Sequence, residues 1–170
     1  MKHLRCTAIL LLLTWNQDAL AAVRVELTSP PPGPSSICYF GGDEMHLSVF
    51  VEGRRIASRS FCSAYGKGSA RVVTDARGRA YVLLDYSVGH GSHIASDLLA
   101  IYRVDKRLVR RGTLISRDPI GPDAEASYHY AIKMPRSGGL KFIGTLKVTG
   151  QRTALDSAPL APTRLRIDMR

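Results

Sequence analysis

The side chains best placed for chemistry lie together in Ser87-Val88-Gly89-His90-Gly91-Ser92-His93, a glycine-rich stretch between two apolar runs. Gly89 and Gly91 permit backbone conformations closed to other residues and leave main-chain N–H groups unshielded. Such a loop can bind an anion, enter a partner's cleft or present its two imidazoles. For metal binding, His90 and His93 would need Asp85, Asp97 or His129 to complete a set, because tetrahedral zinc takes three or four ligands of fixed geometry. No HExxH or CxxC spacing supplies them, so neither metal nor cofactor is expected. For nucleophilic catalysis, Ser92 would need His90 or His93 as base, but sequence neighbours seldom form the working pair and no Gly-x-Ser-x-Gly elbow is present. No catalytic residue is therefore assigned. Gly89, His90, Gly91, Ser92 and His93 read instead as a partner-binding loop on a rigid scaffold.

Asp85 stands between Leu84 and Tyr86 at the end of the most apolar run. Either it emerges into solvent there, or it is buried and needs a cationic or hydrogen-bonding partner, which would make the site pH-sensitive. Asp43-Glu44 offers too few oxygens for Ca²⁺, which takes 6–8, and reads as a solvated turn.

Charge is the other conspicuous feature. The 170-residue chain carries 24 Lys+Arg against 14 Asp+Glu, a formal +10, with arginine pairs at Arg54-Arg55 and Arg110-Arg111. Arg110 and Arg111 join the loop as candidate partner-contact residues, able to steer an acidic protein or an anionic envelope polymer. Nucleic acid is a poor fit, since aromatics are only 7% of the chain and offer few stacking platforms.

The N-terminus places the chain outside the cytosol. Lys2, His3 and Arg5 precede an apolar stretch from Cys6 to Trp15, and Ala19-Leu20-Ala21 presents small residues for cleavage. That stretch spans only about half of a ~30 Å hydrocarbon core. Residues 1–21 therefore read as a cleaved signal peptide and 22–170 as one domain of a periplasmic or secreted protein. Cleavage removes Cys6 and leaves Cys38 and Cys62, for which an oxidising compartment predicts a disulfide. Closing that loop should stabilise the fold by roughly 3 kcal/mol in the chain-entropy account.

These groups must be positioned by strands. Tyr128, Tyr130, Ile132 and Met134 alternate with more polar residues, as do Leu165, Ile167 and Met169, and a period of two puts each set on one sheet face. Turn signals at Glu52-Gly53, Asp75 to Gly78, Asp105-Lys106 and Pro135 to Gly139 separate such runs. Strands are expected near 23–28, 36–40, 45–51, 54–62, 70–74, 79–86, 96–104, 107–116, 126–134, 139–148 and 163–169, with one or two of them superfluous. Tyr81 to Tyr86 is apolar on both faces and reads as a central strand. Residues 97–104 also fit a helical period, but the following turn favours a hairpin. The expected fold is all-β: a small antiparallel β-sandwich or barrel with one disulfide.

The Ser87, Gly89, Gly91, Ser92 pattern loosely resembles the Ser/Gly loop of periplasmic lysozyme inhibitors, which are small exported β proteins. The resemblance covers about six residues, and His93 and Ile94 stand where that loop continues with an aromatic and a lysine. It implies a β-scaffold inhibitor and nothing finer. The expectation is an exported, non-enzymatic binding protein, an inhibitor or immunity-type protein acting through the glycine-rich loop. The alternative is a small periplasmic hydrolase or metal-dependent enzyme using His90 and His93.

Overall fold

In the computed structural model, the described residues are 22–31, 37–38, 42–89, 95–121 and 123–150, together with the backbone of Arg164–Met169. The expected signal peptide lies outside them, as does most of the strand expected near 36–40. These described residues form ten strands and one short 3-10 turn, Ala64–Gly66. A three-stranded antiparallel sheet takes β1 (Val23–Thr28), β2 (Asp43–Val51) and β3 (Arg54–Ser63) in sequence order. A seven-stranded antiparallel meander takes β4 (Gly68–Thr74), β5 (Ala80–Val88), β6 (Ser96–Val104), β7 (Leu108–Gly121), β8 (Ala124–Lys133), β9 (Leu140–Gly150) and β10 (Arg164–Met169), again side by side in chain order. The segment with the ambiguous period, 97–104, is strand.

Period two governs burial. Along β2, Met45, Leu47 and Val49 are buried while the residues between them are not. The β2–β3 connection is a two-residue turn with Glu52 at φ 50° and Gly53 at φ 78°. Positive φ at both central positions matches the twist of flanking strands, and glycine at the second relieves half the strain. The Cys38–Cys62 disulfide, with Cα atoms 5.6 Å apart, ties the segment before β2 to β3.

β5 is the axis of the molecule. Val82 and Leu84 point into a core shared with Leu47 and Val49 of the small sheet. Tyr81 and Leu83 point the other way, into a second core with Leu99, Ile101, Leu114, Leu140 and Phe142. That second core exists because the large sheet curls into a half-barrel. β7 pairs with β6 from Leu108 to Arg117, but with β8 only through Arg117–Gly121 against Ala124–Ser127. The register shifts between Pro119 and Gly121, where proline can offer no N–H to the ladder. Past the Arg117–Ser127 pair β8 no longer pairs with β7, and Ile132, Leu140 and Phe142 pack with the core residues of β5 and β6.

One end of the half-barrel is latched by a carboxylate. Asp75, buried in the β4–β5 turn, accepts the backbone N–H groups of Arg77 (2.9 Å), Arg79 (3.0 Å) and Gly139 (2.7 Å), and the Arg79 Nε (2.8 Å). Gly139 belongs to the β8–β9 turn, so Asp75 joins two hairpins distant in sequence. Burial pushes its carboxyl up, but the N–H bonds from Gly139, Arg79 and Arg77 and the Arg79 side chain outweigh burial and hold it well below the usual carboxylate range.

Candidate functional site

At the other end, the face of β5 and β6 that carries Tyr81, Leu83 and Leu99 continues outward as polar residues. Asp85 and Ser87 follow on β5, and Asp97, opposite Ser87, follows on β6. A hydrogen-bonded row runs from there across four strands. Ser87 Oγ donates to Asp97 Oδ1 at 2.5 Å. Arg117 on β7 grips both oxygens of Asp97, with Nε 2.6 Å from Oδ2 and Nη2 3.2 Å from Oδ1. Its Nη1 reaches Glu125 on β8 at 3.2 Å, and Ser127 Oγ donates to Glu125 at 2.9 Å.

The 3-10 turn is pinned against this row. The Ser87 N–H donates to Ser63 Oγ at 3.1 Å, and Ser63 Oγ donates onward to the Lys67 carbonyl. Between them Tyr65 is held at φ 59°, ψ 24°, with 56% of its surface exposed. A left-handed conformation at a non-glycine residue costs about 1–3 kcal/mol and persists only where the surroundings impose it. Lys67 Nζ lies 5.8 Å from the centroid of the Tyr65 ring.

The space between the turn and the row is a cleft of two adjoining cavities. The larger, about 570 Å³, is lined by Tyr65, Lys67, Ser87, Ala95, Asp97 and Arg117. The smaller, about 280 Å³, adds Gly68, Ser69, Asp85, Tyr86 and Ser116 to the shared Lys67, Ser87 and Asp97. Two carboxylates on this face are driven apart. Burial raises Asp85, and the Asp97 charge adds to that against the weaker pull of Arg71 and the Ser69 hydroxyl. Asp97 is also pushed up by burial, but the Arg117 and Ser87 hydrogen bonds and the charges of Arg117 and Lys67 bring it below its ordinary value.

Charge is segregated along the strands. Asp43, Glu44, Asp85, Asp97 and Asp118 belong to the cleft end, with Asp123 and Glu125 at the neighbouring β7–β8 connection. Lys67 and Arg117 line the larger cavity among them. The turns at the Asp75 end carry Arg77, Arg79, Lys106, Arg107 and Arg136.

Of the loop residues singled out by sequence, Gly89 is described, exposed and at φ 108°. His90, Gly91, Ser92 and His93 lie outside the described residues. The two flanks of that segment are anchored at the cleft end, where Ala95 lines the larger cavity. Arg110 and Arg111 are elsewhere. Arg110 faces Tyr102 near the β6–β7 turn, at the opposite end of β6 from Ser96, and its guanidinium donates to Thr113 Oγ1. His129 is exposed on β8 and lines neither cavity, so Asp85 and Asp97 come together without it. Among the described residues no group of three His, Cys, Asp or Glu side chains converges to hold a metal ion, and no helix is long and apolar enough to cross a membrane.

Sequence reasoning missed Tyr65, Lys67 and Arg117. The Asp97–Arg117 pairing requires the register of β6 on β7, which shifts between Asp97 and Leu98 and has no local signature. Tyr65-Gly66 was the one available cue, an aromatic beside glycine just after a cysteine.

No protein-family model matches this chain, and neither the curated proteins nor the solved structures give a match.

Proposed function

We propose that this chain is an exported, non-enzymatic binding protein of the inhibitor or immunity type, and that it meets its protein partner at the cleft end. The observation that carries this reading is the meeting of three features on one end of a rigid β scaffold. They are the cleft around Lys67, Ser87 and Asp97, the exposed and strained Tyr65, and the two anchored flanks of the glycine-rich loop. An exposed aromatic beside a concave, partly apolar cleft is the sort of group that anchors an interface. The Cys38–Cys62 disulfide suits an oxidising, extracytoplasmic compartment. Because carboxylates dominate this end, the matching surface on the partner is basic. Arg110 and Arg111 then belong to a different surface, and an acidic partner would be met there.

A hydrolase is the second reading, favoured by the opposed shifts of Asp85 and Asp97, which resemble an acid and base held apart in pKa. It is weaker because Arg117 and Ser87 already take three of the roughly four acceptor sites of the Asp97 carboxylate, and an ion-paired carboxylate is a poor general base.

The test is affinity capture from an extracytoplasmic extract at low salt, with wild type compared against Tyr65→Ala and against His90→Ala/His93→Ala. A single stoichiometric partner that is lost with these substitutions, while melting temperatures hold, supports the reading. Retention of the same partner by both variants defeats it.

A further inference from the structure

The end of the molecule opposite the cleft carries a second surface. Three hairpin turns meet there: β4–β5 at 75–79, β6–β7 at 105–107 and β8–β9 at 134–139. Asp75 binds the Gly139 N–H at 2.7 Å. A Cβ on Gly138 would lie 2.4 Å from Arg79 Nη2 and 2.8 Å from Arg77 Cδ, and Asp105 acts electrostatically on Arg79. The turns are therefore one continuous surface. The two acids in it are spent, Asp75 on Arg79 at 2.8 Å and Asp105 on Arg103 at 2.6 Å. Arg77, Lys106, Arg107 and Arg136 are exposed, and none has an ion-pair partner among the described residues. Among these cations, in the chain between Lys133 and Arg136, Met134 stands 48% exposed.

We infer that this end docks on an anionic lipid surface, its arginines on the phosphate headgroups and Met134 in the headgroup–acyl boundary. Unpaired cations near such a surface bind additively, and an exposed apolar side chain flanked in the chain by cations is suited to an interface that is charged above and oily beneath. Nucleic acid would use the charge but not Met134, and the exposed aromatic among the described residues, Tyr65, is at the far end. The disulfide also favours a compartment bounded by lipid rather than one filled with nucleic acid. Docking by this end would turn the cleft away from the membrane, since β5 and β6 separate the two ends by roughly 25–30 Å. The inference stands independently of what the cleft binds.

The experiment is co-sedimentation of the oxidised protein with vesicles of phosphatidylcholine alone and of equal parts phosphatidylcholine and phosphatidylglycerol. Binding to the anionic vesicles only is expected, weakening as salt rises. Arg77→Gln/Arg107→Gln/Arg136→Gln should lower partition at least about tenfold. Arg59→Gln/Arg71→Gln/Lys147→Gln, which removes equal charge elsewhere, should lower it much less. Met134→Ser should weaken binding several-fold with charge unchanged, and thermal melts confirm that each variant is folded. Equal binding to neutral vesicles, equal loss in the two triple variants, or tighter binding to duplex DNA than to anionic vesicles at the same salt overturns the inference.

Discussion

Asp75 in the β4–β5 turn accepts the backbone N–H of Gly139 at 2.7 Å across 64 residues of sequence, and this bond ties the β8–β9 turn to the β4–β5 turn. Asp75→Ala would leave the buried Gly139 N–H and the part-buried Arg77 and Arg79 N–H groups without their acceptor, a buried one costing about 1–3 kcal/mol. A loss of about 3 kcal/mol or more in urea unfolding is the expected result, against a few tenths for an exposed carboxylate such as Asp123.

The same residue fixes the acid limb of stability. Its folded carboxyl titrates below the unfolded one, so its contribution is complete above the unfolded value, about 3.9, and drains away as pH falls toward the depressed folded value. Asp85 has the opposite sign. Its folded value is raised, so the folded state is penalised as pH climbs from the unfolded value through the folded one. Asp75→Asn should therefore lower the melting temperature at pH 7 and flatten its fall in acid, while Asp85→Asn should raise it at pH 7. Melting curves from pH 3 to pH 7 separate the two.

β5 serves both cores, and that makes it the least tolerant strand. Leu83 and Leu84, adjacent in sequence, are buried in different clusters. Leu83→Ala and Leu84→Ala should each cost about 2–5 kcal/mol, whereas truncating the exposed Ile115 should cost far less. Near-neutral chemical denaturation of either leucine variant would contradict the two-core arrangement.

Reduction of Cys38–Cys62 should lower stability by about 3 kcal/mol, and thiol titration of the denatured, unreduced protein should find none from this pair. Two titratable thiols would contradict the disulfide.

How far the sequence carried this fold follows from where its information lies. The two-faced apolar run Tyr81 to Tyr86 announced a strand buried on both faces, because such burial leaves no polar alternation, although β5 stands second from the edge of the large sheet rather than at its centre. Glu52-Gly53 and Pro135 to Gly139 announced turns through residues that tolerate positive φ. The curl of the large sheet was not legible, since it depends on β8 pairing with β7 over only a few residues near Pro119. Nor was the segregation of charge. Acids and bases alternate freely along the chain, and only the meander sends Asp97 to one end of β6 and Arg103 to the other. The cleft was only partly legible for the same reason. Gly89 and Ala95 lie at its end of the molecule, but Arg117 reaches Asp97 through a shifted register, and Arg110-Arg111 sits near the opposite turn.

Asp97, Arg117 and Glu125 should behave as a coupled set. Because the side chains are each about a third exposed, a double-mutant cycle between Asp97→Ala and Arg117→Ala should give a coupling of about 1 kcal/mol rather than the larger figures of fully buried pairs. Additivity within error would mean that the row does not brace the cleft.

Whether this protein meets its partner at the cleft end is decided by placing a photo-crosslinking amino acid at position 65 and, separately, at position 59 on β3, in cells that export the protein. One adduct of discrete mass is expected from position 65, absent from position 59 and lost when Lys67 and Asp97 are both replaced by Ala in a variant that still melts cooperatively. No discrete adduct from position 65, or the same adduct from both positions, would contradict it.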